Sequence, residues 1–113
     1  MVVGIGTVEI AIRDSRSLKD KRSVVRRIIG RTEAAFSLAI AEVDCMDNQK
    51  RATIGFAVVG NDRQYINSKV DKVVHFIERL SLAEVVDSAI EIMTVSELYG
   101  TPGEPPEGDD DDV

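Results

Sequence analysis

The run SLKDKRSVVRR, residues 17–27, holds the densest set of residues able to bind an anion. Lysine meets phosphate as a point charge and arginine as a planar fork. Residues 13–31 contain eight bases, Arg13, Arg16, Lys19, Lys21, Arg22, Arg26, Arg27 and Arg31, against the two acids Asp14 and Asp20, a net of +6. Ser17 reads as a helix N-cap, with Asp20 three residues on as its capping-box partner. With successive residues about 100° apart, Lys19, Arg22 and Arg26 share one flank. Arg27 and Arg31 lie on the other side of the polar face, near Asp20. Lys21 lies toward the apolar stripe, where its stem is expected to snorkel. Exposed cations in a first turn oppose the helix dipole by about 0.3–1 kcal/mol each. A local rule broken without compensation points to function, and the free N–H groups of a helix start also suit phosphate. The expected nucleic-acid contact set is Lys19, Lys21, Arg22 and Arg26, with Arg13, Arg51 and Arg63 in support. The competing reading is a solvated helix face paired with acids elsewhere in the fold.

Other chemistries find less support. Glu42, Asp44 and Asp47 lie close together, but their spacing is not that of a calcium loop, and Lys50 and Arg51 follow at once. They read as a polar hairpin with Asp–Arg pairs. Cys45 has no CxxC partner, so neither zinc nor redox use is indicated. His75 has no serine or cysteine nucleophile in evident partnership. Gly4, Gly6, Gly55 and Gly60 form no phosphate-binding fingerprint ahead of a helix. No catalytic residue, metal or cofactor is therefore expected, and the chain reads as a non-enzyme.

The elements that must position these residues follow from hydrophobic periodicity. Residues 2–12 alternate as a half-buried strand. From Leu18 the apolar positions Val25, Ile28, Ile29 and Phe36 recur with helical spacing, and Gly30 falls mid-helix on the polar side. Residues 37–44 and 51–60 read as strands. Asn61 or Asp62 caps a second helix with the stripe Ile66, Val70, Val73, Val74 and Ile77, and residues 84–95 form a last strand. The order β-α-β-β-α-β predicts an α+β ferredoxin-like fold. Right-handed crossovers give a four-stranded antiparallel sheet in the order 4-1-3-2 with both helices on one face. Val86, Ile90 and Ile92 are expected on the helix side. The opposite face, around Ala39, Ala41, Ala57 and Val59, has no aromatic on which a base could stack. It reads instead as an interface, with a homodimer as the expected partner.

The chain has 113 residues, 43% hydrophobic and 4% aromatic, with a net charge of −6. That size suits one core, expected within residues 1–100 as a single domain. Beyond it, Glu104, Glu107 and Asp109 to Asp112 give residues 101–113 six acids and no base. That composition predicts a disordered tail. Without it the body is balanced at 14 acids and 14 bases, so the overall charge conceals a polarised molecule. The opening MVVGIGTVEIAI carries Glu9 within its apolar run and no basic lead, which argues for a strand rather than a signal peptide. No apolar run approaches the roughly 20 residues needed to span a bilayer. The expected compartment is the cytoplasm, with no membrane partner.

VVGIGTVEIAI, SLKDKRSVVRRI and AEVDxxDxxxRATIGFAVVGND together resemble the YlxP-like family of small bacterial proteins, a domain of unknown function. The resemblance spans about residues 2–95. Its most distinctive parts are SLKxKR, carried by Ser17, Leu18, Lys19, Lys21 and Arg22, and RAxxGxAxVxND, carried by Arg51, Ala52, Gly55, Asn61 and Asp62. The resemblance implies a ferredoxin-like fold and assigns no catalytic residue. The family's genes often neighbour those for translation initiation and ribosome maturation factors. It thus implies a ribosome-associated, RNA-binding role near the small ribosomal subunit or its rRNA. The acidic tail, Cys45 and Met46 depart from the family's pattern.

Overall fold

A computed structural model describes residues 1–96. Six elements follow in order: β1 (Val2–Ala11), α1 (Leu18–Ala35), β2 (Ala39–Asp44), β3 (Arg51–Gly60), α2 (Arg63–Leu80) and β4 (Glu84–Thr94). The strands form one sheet in the order β2-β3-β1-β4, antiparallel at every pairing. This is the βαββαβ ferredoxin-like arrangement, α+β in class. The expected tail, residues 101–113, lies outside the described residues.

Alternation builds the core. Val8 and Ile10 of β1 pair with Ile54 and Ala52 of β3, placing all four on one face. Each is fully buried against Val25 and Ile28 of α1 and Ile66, Val70, Val73 and Ile77 of α2. Gly6 lies on this face opposite Phe56, and a Cβ at Gly6 would overlap the Phe56 ring. The glycine therefore leaves the space that the one aromatic of this layer occupies. At the far end, the rings of Phe36 and Phe76 meet edge to face with centroids 5.4 Å apart, joining α1 to α2.

Two bulges alter the expected facing. The β1–β4 register shifts between Glu9, opposite Asp87, and Ile10, opposite Val85. Val86 is the extra residue. Val85 thus takes the core position expected for Val86, which is 39% exposed. Ile90 is opposite Gly6 on the helix side, as expected, yet it remains 38% exposed on the edge strand. The second bulge falls at Val43, between Glu42 (opposite Ile54) and Asp44 (opposite Thr53). β2 also starts at Ala39 rather than at residue 37. Leu38 still packs against the core from outside the ladder.

Gly30 has an exposed helical position, and a Cβ built on it meets nothing within 4 Å. Gly30→Ala should stabilise the protein by about 0.5–1 kcal/mol, chiefly by restricting the unfolded chain. Chemical denaturation should show a raised midpoint at an unchanged slope.

Candidate nucleic-acid interface

The start of α1 is built as a cap. Ser17 is extended, and its Oγ accepts the Asp20 N–H at 3.0 Å. The Asp20 carboxylate reaches one residue further back than a capping box requires and accepts the Arg16 N–H at 3.1 Å. Ser15, buried just before the cap, donates its hydroxyl to the Ser17 carbonyl at 3.0 Å. These bonds fix how the chain enters the helix, and so fix where the cations point.

α1 then divides its cations between two environments. Its buried residues are Lys21, Val25, Ile28 and Thr32, at intervals of four, three and four. Lys19, Arg22 and Arg26 lie off that stripe and are exposed, as are Arg27 and Arg31. None of these five forms a salt bridge among the described residues. The flank of Lys19, Arg22 and Arg26 spans seven residues, about 10 Å of helix.

Lys21 leaves the expected contact set. Its side chain is completely buried, and Nζ is 2.8 Å from Glu42 Oε2, 2.9 Å from the Cys45 carbonyl and 3.0 Å from that of Met46. The Arg51 carbonyl is more distant, at 3.5 Å. The three N–H donors of the ammonium are thereby matched, as burial of a charge demands. Lys21 does not snorkel because the apolar stripe points at the sheet, where a carboxylate is waiting. The pair was visible in the alternation: Leu38, Ile40 and Glu42 place an acid on the helix side of β2, while Lys21 falls on the stripe facing it.

The three supporting cations are not gathered at this flank. Arg13 holds Glu84, with Nη2 2.7 Å from Oε1, in a well-exposed surface pair. Its carbonyl accepts the Lys50 ammonium at 2.8 Å. Arg51 Nη1 is 3.1 Å from Glu9 Oε2 on the helix-free side of the sheet. That contact replaces the expected Asp–Arg pairing within the hairpin. Asp44 instead accepts the Cys45 N–H at 2.8 Å, helping Cys45 hold its left-handed φ of 63°. Arg63, at the start of α2, donates to the Ile92 carbonyl at 3.2 Å and to Thr94 Oγ1 at 3.3 Å. These two acceptors lie beside the start of β1, at the end of the sheet opposite to the α1 cap.

Ala39, Ala41, Ala57 and Val59 do lie together on the open face, as the register of β2 and β3 requires. β1 adds Val3 and Ile5 to that face, opposite Val59 and Ala57. Their alternation with Gly4 and Gly6 was the signal for them. Among the described residues no group of three or more His, Cys, Asp or Glu is placed to hold a metal ion. No helix of the described residues is long and apolar enough to cross a membrane.

Comparison with known proteins gives a family and a fold. The profile described as "Protein of unknown function (DUF503)" matches residues 3–90. Among curated proteins, "Uncharacterized protein YlxP" of Bacillus subtilis (strain 168) is 32% identical over 77 residues, covering 68% of this chain and 84% of that protein. Two solved structures share the general arrangement at low identity. The de novo designed protein Foldit4 is similar with a TM-score of 0.46 at 14% identity, over 82% of this chain and 96% of that one. A REP-associated tyrosine transposase bound to a REP hairpin is similar with a TM-score of 0.40 at 13% identity, over 86% and 59%.

Proposed function

The chain belongs to the DUF503 family of proteins of unknown function, and we propose that it is a non-enzymatic accessory factor of ribosome maturation or translation. In this reading it contacts rRNA phosphates through the exposed flank of α1. The observation that carries the reading is the separation within SLKDKR. Lys21 is consumed inside the fold, whereas Lys19, Arg22 and Arg26 stay exposed, with no salt bridge among the described residues, beside a capped helix start. Cations kept there against the helix dipole suit an anion supplied from outside. Contacts of this type position a protein on RNA without reading its sequence. The position of the family's genes beside those of translation and ribosome maturation factors favours small-subunit rRNA. The cytoplasm is the compartment in which such a factor would act.

The test is equilibrium binding of the full chain to small-subunit rRNA across a salt series. Three phosphate contacts predict a log–log slope of roughly −2 to −3. Absence of binding at low salt, or binding that salt does not weaken, would refute the reading.

A further inference from the structure

The helix-free face of the sheet has a pattern that fits its own image. The register arranges its side chains in rows across the strands. One row contains Gly55, Thr7 and Ala89. The next contains Ala57, Ile5 and Glu91, and the third Val59, Val3 and Met93. On each of β3, β1 and β4, a larger residue therefore stands two rows from a smaller one. Val59 is 65% exposed, and Gly55 sits in a shallow apolar trough shared with Ala41 and Ala57.

We propose that two copies of the chain stack these faces about a two-fold axis running across the strands at the level of Ala57 and Ile5. That operation exchanges the first and third rows while leaving each strand opposite its own copy. Val59 then meets Gly55, Val3 meets Thr7 and Met93 meets Ala89, so each larger side chain enters the space beside a smaller one. Such self-complementarity is what an isologous interface requires. The charged end of the face, with Arg51, Glu9 and Asp87, overhangs the partner's edge and stays in water. Ten-residue strands at about 3.4 Å per residue and four strands at about 4.8 Å give a flat area of roughly 650 Å². That is of the order of the ~800 Å² each partner contributes to a standard stable interface. Packing two sheets face to face is an established way to bury such surfaces. Both copies of α1 remain on the outside, one on each side of the pair. The proposal is independent of the RNA reading, since the face lies across the sheet from Lys19, Arg22 and Arg26.

The experiment is sedimentation equilibrium of the full chain over a wide concentration range. The expected result is a reversible dimer of twice the 12.4 kDa chain mass. Val59→Lys places a charge at an exposed site where folding does not need the valine, and should weaken association at least tenfold with an unchanged circular dichroism spectrum. Glu91 faces its own copy across the axis, so Glu91→Gln should tighten the dimer by removing like-charge repulsion. A monomer at every concentration would overturn the proposal, as would a dimer indifferent to Val59→Lys. A dimer that Glu91→Gln leaves unchanged or weakens would overturn the placement of the axis.

Discussion

Replacing Lys21 by Met should destabilise the protein by about 3–5 kcal/mol, the range for breaking a buried ion pair from one side. The stem volume is largely kept, so the loss comes from the ammonium. Glu42, 17% exposed in its side chain, would be left as a largely buried carboxylate without its counterion. The Cys45 and Met46 carbonyls would lose a charged donor at 2.9 and 3.0 Å. Those two carbonyls lie in the β2–β3 hairpin, so the variant should also loosen that hairpin ahead of global unfolding. Urea denaturation measures the first effect, and amide exchange at residues 45–50 the second. Lys21→Arg is no rescue, because a planar fork does not place three donors where one ammonium did. A loss below about 1 kcal/mol, typical of an exposed pair, would show that Lys21 is not buried as described.

Replacing Lys19, Arg22 and Arg26 together by Ala should have the opposite profile. All three are exposed and none is in a salt bridge among the described residues. Alanine is a better helix former than either parent residue, and removing first-turn cations relieves the dipole. Stability should be unchanged or slightly raised. Affinity for small-subunit rRNA should fall, and with it the salt dependence. With three phosphates engaged, the parent protein should lose roughly 20- to 40-fold in affinity between about 50 and 200 mM salt. The triple variant should lose little over the same range. Replacing Arg13, Arg51 and Arg63 instead should leave the salt slope near the parent value, because each is held elsewhere by Glu84, Glu9 or the end of β4. A triple variant at Lys19, Arg22 and Arg26 that binds as the parent does would remove this flank from the account.

The fold was legible because its signals repeat. Ten-residue alternation in β1 and β3 and two apolar stripes at helical spacing leave one topology consistent with short, right-handed connections. The site was only partly legible. A helical wheel separates flanks, so Lys19, Arg22 and Arg26 could be grouped correctly. It does not reveal what lies beneath the buried stripe, and Lys21 was misassigned because its partner Glu42 comes from a strand 21 residues away in sequence. Arg13, Arg51 and Arg63 were included on charge alone, yet their positions depend on strand register and on which sheet end each loop occupies. The bulge at Val86 was hidden because EVVD offers two adjacent valines, and periodicity cannot choose which one faces the core. Each miss is a long-range contact that a local pattern does not encode.

Cosedimentation of the full chain with purified small ribosomal subunits at low and moderate salt tests the central claim most directly. The account predicts that the protein pellets with the subunits at low salt and is released as salt rises, while the Lys19, Arg22 and Arg26 triple variant stays in the supernatant at both. No association of the parent chain at low salt, or association that the triple variant retains, would contradict it.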